Sequence, residues 1–146
     1  MREIINVASA SETEEVGYNL AKSLDDAKVK RAFIALFGEM GVGKTAFSRG
    51  FSRYFGVSNV KSPTYTVLNE YRGNARIHHF DFYRITDGDD LYSIGYDDII
   101  ESDGFSLGEW SENIEDYLPE DVIKVTISRL FVDGDNTNLR KIEIER

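Results

Sequence analysis

The chain has 146 residues, 41% of them hydrophobic and including nine Phe and eight Tyr, enough for one sizeable core and too much for a disordered segment. It contains no Cys, which excludes a disulfide framework and a cysteine-ligated metal. With 17 basic against 26 acidic side chains and a net charge of −9, its surface as a whole repels nucleic-acid phosphate, so a nucleic-acid role is expected to pass through a partner.

Arg2 to Val7 alternates weakly and predicts a first strand. Ser9 with Glu12, or Ser11 with Glu14, then forms a capping box. Val16, Leu20 and Leu24 recur at helical spacing and predict a packing helix to about Asp26. Ala32 to Phe37 is a continuous apolar run, the pattern of a parallel strand buried on both faces. Gly38 to Thr45 follows, and then a helix with Phe47, Phe51 and Phe55 on one side and Gly56 as its stop. Gly50 inside that helix costs about 1 kcal/mol relative to Ala and suggests close packing on the sheet.

Ser62-Pro63-Thr64 breaks the chain before a strand expected from Tyr65 to Tyr71. Arg72-Gly73-Asn74 is a turn, and Ala75 to Phe82 is a further strand. Asp87 to Glu101 reads as helix, interrupted by Gly88 and Gly95. Phe105 to Gly108 is a strand leading into Glu109 and Trp110. Ile114 to Leu118 is a short helix stopped by Pro119. Val122 to Val132 and Leu139 to Glu145 alternate as strands around Asp133-Gly134-Asp135-Asn136, a hairpin signal. No repeat, linker or low-complexity segment appears, so residues 1–146 read as one domain. No stretch approaches the ~18 apolar residues of a membrane span, and Met1-Arg2-Glu3-Ile4 lacks the apolar run of a secretion signal. The expected location is the cytoplasm, without membrane contact.

The chemistry centres on Gly38-Glu39-Met40-Gly41-Val42-Gly43-Lys44-Thr45, a full G-x-x-x-x-G-K-[ST] match between an apolar strand and an amphipathic helix. A triphosphate must be wrapped by backbone N–H groups, and the glycines permit the turns and the close approach. The following helix, with Ala46 in its first turn, points its N-terminus at the anion. Lys44 neutralises phosphate charge and the Thr45 hydroxyl is a Mg²⁺ ligand. The bland alternative is a chance glycine-rich turn, which the flanking strand and helix argue against.

Such a site also needs an acid at a strand end, for the metal shell or the attacking water. Asp81 and Glu109 both qualify, because the C-terminal edges of parallel strands lie beside a P-loop; a solvated surface carboxylate is the alternative reading of each. Ser62-Pro63-Thr64 sits where many P-loop proteins keep a switch loop, although by itself it reads as an ordinary turn. His78 and His79 point to opposite faces of a strand and cannot easily share one ion. Trp110, the single Trp, reads as a packing residue next to Glu109.

Taken in order, Leu36 to Thr45, then Val60-Lys61-Ser62-Pro63-Thr64-Tyr65, then His79-Phe80-Asp81-Phe82-Tyr83-Arg84, then Glu109-Trp110 resemble the TsaE (YjeE) family, the small P-loop ATPases of bacterial tRNA threonylcarbamoyladenosine biosynthesis. The resemblance runs from about residue 3 to 132. It implies an α/β P-loop NTPase-type three-layer domain with a mainly parallel central sheet, completed by the C-terminal β-hairpin. It implies ATP and Mg²⁺ as ligands, with Gly38, Glu39, Met40, Gly41, Val42, Gly43, Lys44, Thr45 and Ala46 around the phosphates. Thr64 would sit near the γ-phosphate, Asp81 and Glu109 near the metal or the water, and Trp110 beside the nucleotide. Ser11 to Thr13 and Arg129 would border the adenine, and His79 and Tyr83 would be structural supports or partner contacts. Family members act with TsaB and TsaD, which transfer a threonylcarbamoyl group to adenosine 37 of tRNA; hydrolysis by the ATPase resets that complex. One departure is Ser106-Leu107-Gly108, where more apolar residues are common.

Arg84 is the nearest arginine for an internal finger, so slow intrinsic hydrolysis completed by a partner is expected. A small-molecule kinase is the first alternative; it would need an Arg-rich lid, and no Arg cluster follows Arg84. The second is a non-hydrolytic, ATP-dependent assembly switch.

Overall fold

The computed structural model describes residues 1–64, 66–130 and 138–146. Strand β1 (Arg2–Val7) leads into helix α1 (Ala10–Asp26). The Ser9 hydroxyl caps this helix by accepting the Glu12 amide at 3.1 Å, and the Glu12 carboxylate reaches back to the Ala8 amide at 3.0 Å. Of the two expected capping boxes the Ser9–Glu12 one forms; such a cap contributes about 1 kcal/mol. Strand β2 (Arg31–Phe37) feeds the glycine-rich loop, and helix α2 (Lys44–Tyr54) leaves it. Gly56, at φ +81°, ends that helix as expected.

Strand β3 (Leu68–Arg72) starts later than the sequence suggests, because the Thr66 and Val67 amides bond Pro63 O and so are committed to a turn; Tyr65 itself lies outside the described residues. Strand β4 (Arg76–Asp81) follows. The helix expected from Asp87 to Glu101 is two short ones, α3 (Gly88–Ser93) and α4 (Tyr96–Glu101), separated by Gly95 at φ +74°. Strand β5 (Gly104–Glu109) runs into a 3₁₀ turn (Ser111–Tyr117) that starts before the expected helix and stops ahead of Pro119. Strands β6 (Ile123–Arg129) and β7 (Arg140–Glu145) pair antiparallel. The turn signal Asp133 to Asn136 lies outside the described residues.

These strands form one seven-stranded sheet in the order β1-β7-β6-β2-β5-β4-β3. The centre, β6-β2-β5-β4, is parallel, and the strands added at either end are antiparallel. Helices α1 and α2 cover one face, where Val16, Leu20, Phe47, Phe51 and Phe55 pack on Ile34, Leu36, Phe105 and Val125. The other face is covered by α3, α4 and the 3₁₀ turn through Tyr96, Leu91 and Ile114 on Phe33, Phe80 and Phe82. Each fully buried Phe stabilises this arrangement by about 2 kcal/mol. The α/β three-layer expectation therefore holds, with the C-terminal strands forming the antiparallel pair.

The expected role of Gly50 changes partner. A Cβ there would lie 1.8 Å from Glu14 O, and one on Gly17 would lie 2.2 Å from Phe47 O. The two glycines let α1 and α2 touch backbone to backbone, so the close packing is helix on helix rather than helix on sheet. That contact seats the start of α1 against the glycine-rich loop. None of the described helices is long and apolar enough to cross a membrane.

Candidate nucleotide site

The loop between β2 and α2 is shaped by Gly38, Gly41 and Gly43 at φ +145°, +77° and +121°. These are backbone conformations that a side chain would strain. Gly43 is the N-cap of α2 and offers no side chain to cap it. The first intrahelical bond is from the Phe47 amide to Gly43 O, which leaves the amides of Lys44, Thr45 and Ala46 as the orphan donors of a helix start. No acidic residue stands in that first turn. Glu39 and Met40 form the exposed tip, Val42 is buried beneath it, and Arg129 Nη2 donates to Met40 O at 3.3 Å.

Lys44 is buried, at 4% exposure, and its ammonium donates to Gly38 O at 2.6 Å. Its other side faces the Trp110 ring, with the nitrogen 3.8 Å from the ring centroid. Burial pushes the ammonium below the ordinary lysine value, against the opposing pull of Glu112, Glu109 and Asp81.

The acids arrive from the sheet. Asp81 and Glu109 are register partners on parallel strands β4 and β5, at the ends that face the loop. The Thr45 hydroxyl donates to Glu109 Oε2 at 2.9 Å, and His79 Nε2 meets the same oxygen at 2.6 Å. Asp81 Oδ1 accepts the Tyr83 amide at 2.9 Å. Burial raises the Asp81 carboxyl above the ordinary aspartate value; the Tyr83 amide opposes that shift and the nearby Glu109 adds to it. The donor set, a hydroxyl and two carboxylates, is the hard-oxygen chemistry that suits Mg²⁺ shared with phosphate.

Other expected residues fall into place unevenly. Thr13 is buried, and its methyl lies 3.5 Å from where a Cβ on Gly43 would be. It lines a cleft of about 230 Å³ with Ser9, Ala10, Gly41, Val42, Gly43, Asn138 and Arg140. Ser11 is exposed on the first turn of α1, and that cleft is lined by Ser9 and Ala10 in its stead. Thr64 is exposed and its hydroxyl bonds that of Ser62 at 2.6 Å. The loop that carries it is tied to the acids by backbone, because the Asp81 amide donates to Val67 O at 2.7 Å. Val67 has φ +68°, a costly conformation for a β-branched residue. Arg84 is exposed. His78 lies on the opposite face from His79, as expected, 3.6 Å from Glu70, and burial lowers it below the usual histidine value.

Two contacts escaped the sequence reading. Glu112 Oε2 accepts the Gly38 amide at 3.1 Å, and Arg140 Nε donates to Val42 O at 3.1 Å. Both residues lie far from the loop in sequence, so no local pattern marks them. His79 carried a signal, since a residue two positions before Asp81 on a strand shares its face.

The family model for the threonylcarbamoyl adenosine biosynthesis protein TsaE matches residues 7–137. The chain belongs to the TsaE family. This is the family of tRNA threonylcarbamoyladenosine biosynthesis. Curated TsaE proteins are similar to it over most of its length: the one from Haemophilus influenzae is 42% identical over 100 residues, covering 67% of this chain and 63% of that protein. The Bacillus subtilis protein is 35% identical over 111 residues, 70% of this chain and 69% of the relative. The Treponema pallidum protein is 30% identical over 127 residues, 86% and 90% of the two chains. Among solved structures, YdiB of Bacillus subtilis aligns with a TM-score of 0.75 at 27% identity, over 99% of this chain and 84% of that one. The sheet and helix layers of this TsaE family member are therefore those of a solved neighbour.

Proposed function

We propose that this TsaE family member is a Mg²⁺-dependent ATPase, slow alone and stimulated by TsaB and TsaD homologues, whose hydrolysis resets that complex during modification of adenosine 37 of tRNA. It acts as one domain in the cytoplasm and reaches tRNA only through its partners, in keeping with the net charge of −9. The observation that carries the reading is the Thr45–Glu109 hydrogen bond of 2.9 Å beside a buried Lys44. It brings a carboxylate from β5 to the one hydroxyl that a P-loop offers to magnesium.

In this reading the amides of Gly41 to Ala46 hold the phosphate oxygens. Lys44 exchanges its bond to Gly38 O for β/γ-phosphate. Thr45 and one of Asp81 or Glu109 would hold Mg²⁺, and the other acid would position water for in-line attack. Bound Mg²⁺ supplies neutralisation of the charge that builds on the phosphoryl oxygens. Thr64 comes to the γ-phosphate with its loop. Trp110 flanks the nucleotide, while Thr13 and Arg129 stand on the adenine side with Ser11 at its margin. Adenine over guanine follows the family resemblance. Arg84 is exposed, which favours a partner to complete the charge clamp.

The test is phosphate release from Mg-ATP by the full chain, alone and with TsaB and TsaD. Slow release alone, a marked rise with both partners, and loss of that rise in Glu109→Ala with ATP binding kept are expected. A phosphorylated metabolite in place of free phosphate would make it a small-molecule kinase. Intact ATP after many turnovers of the partners would make it an assembly switch without hydrolysis.

A further inference from the structure

We propose that His79 is a positioning residue for Glu109: it donates from Nε2 to Glu109 Oε2 and thereby fixes which carboxylate oxygen is turned toward the nucleotide site. The inference rests on the reading of Glu109 as a site acid and adds a residue that holds it.

The geometry begins with strand periodicity. Ile77 packs with the α1–α2 core and Phe80 with the opposite one, so His79 and Asp81 project toward the α2 side. In the β4–β5 register Glu109 is opposite Asp81, and Leu107 is opposite His79. His79 is thus the diagonal neighbour of Glu109, a separation that one long side chain spans. The contact is 2.6 Å between Nε2 and Oε2, with His79 at 0% and Glu109 at 5% exposure.

The direction of the bond follows from what the ring lacks on its other side. His79 Nδ1 is buried and has no partner among the described residues. A proton on Nδ1 would be a buried donor without an acceptor, while Nε2 would then need a proton from the carboxyl. A proton on Nε2 removes both penalties and leaves Nδ1 as a bare acceptor. Thr45 Oγ1 donates to the same oxygen. Oε2 thus receives two donors, one from β4 and one from the loop helix, and the carboxylate plane is set by them. If Thr45 were to turn to a bound Mg²⁺, the His79 bond to Oε2 would remain and would hold the carboxylate in its plane. A hydrogen-bonding residue behind a metal-associated carboxylate typically matters 10–100-fold for metal affinity or turnover.

The experiment has two arms on the full chain. Long-range ¹H–¹⁵N NMR of the histidine side chains, with only His78 and His79 to assign, is expected to show His79 protonated at Nε2 and bare at Nδ1. A bare Nε2 would overturn the proposal whatever the variants do. The second arm compares His79→Gln, whose amide NH₂ reaches the Nε2 position, with His79→Asn, whose amide stops short of it. Expected are turnover within about threefold of the parent for Gln and a 10–100-fold drop in kcat for Asn, with Mg-free nucleotide affinity unchanged in both. Equal kcat in both variants and the parent, with Glu109→Gln inactive, would remove His79 from the mechanism and leave Glu109 in place. An active Glu109→Gln would instead remove the reading of Glu109 on which the proposal stands.

Discussion

The Trp110 indole lies against the Lys44 ammonium, 3.8 Å from nitrogen to ring centroid, on a backbone with φ +60°. A non-glycine residue in that conformation costs about 1 kcal/mol. The turn that bears this cost grips the loop at three points, through Glu109 on Thr45, Trp110 on Lys44 and Glu112 on the Gly38 amide. Tyr83 supports the ring from the side, at 5.1 Å between centroids.

Moving Lys44 onto phosphate would take the charge off the ring. Because Trp110 is the only tryptophan, its emission is expected to change in intensity or wavelength on titration with Mg-nucleotide, and Lys44→Met should show the altered spectrum without ligand. An emission spectrum unchanged at saturating nucleotide would place the ring outside the site.

Nucleotide binding is expected to depend on pH through Lys44. Its folded value is depressed below 10.5 by burial, so in the nucleotide-free protein the charged form is disfavoured. Between that depressed value and 10.5 the unfolded chain binds more protons, and stability therefore rises with pH across that window. A bound phosphate would restore the charge, so affinity should fall as pH climbs through the same window and binding should take up a proton. Calorimetry at alkaline pH in two buffers of different ionisation enthalpy measures the uptake; equal heats in both would refute it.

Asp81 carries the opposite sign of group and the same tension. Its carboxyl is raised above 3.8 by burial, so ionisation at neutral pH weighs on the folded state, and the loss sets in as pH rises from 3.8 through the raised value. Asp81→Asn retains an oxygen for the Tyr83 amide. It is expected to stabilise the nucleotide-free protein by about 1 kcal/mol while lowering hydrolysis at least tenfold. Thermal melts with and without Mg-nucleotide decide the matter, and a lower Tm in the free variant would count against it.

Gly50→Ala sets helix propensity against sterics. The substitution favours a helix by about 1 kcal/mol. The new methyl would meet Glu14 O at 1.8 Å, so one of the two helix backbones must shift. Overpacking of this kind costs about 1–3 kcal/mol or more, so the variant should be less stable by a net of up to about 2 kcal/mol or beyond, measured by urea unfolding. A more stable variant would show that α1 and α2 part easily.

Much of this was legible from one chain. The apolar run of β2, the glycine spacing from Gly38 to Gly43 and the Phe stripe of α2 are local signals, and each produced the element it predicts. The helix expected from Asp87 to Glu101 failed at Gly95, where a left-handed backbone ends one helix and opens the next. The start of β3 was misplaced because the Thr66 and Val67 amides bond Pro63 O, although both residues look like strand by composition.

The sequence by itself determined the shape of the loop from Gly38 to Thr45, because a glycine-rich turn before Lys-Thr is a backbone property of neighbouring residues. It also supplied the acids and marked their strand ends. Only the tertiary structure decided that Glu109 reaches Thr45, that His79 holds the same carboxylate oxygen, and that Glu112 meets the Gly38 amide. Those contacts join residues 64, 30 and 74 positions apart. They depend on strand order and register, which are fixed by packing across the whole sheet and leave no mark in local spacing.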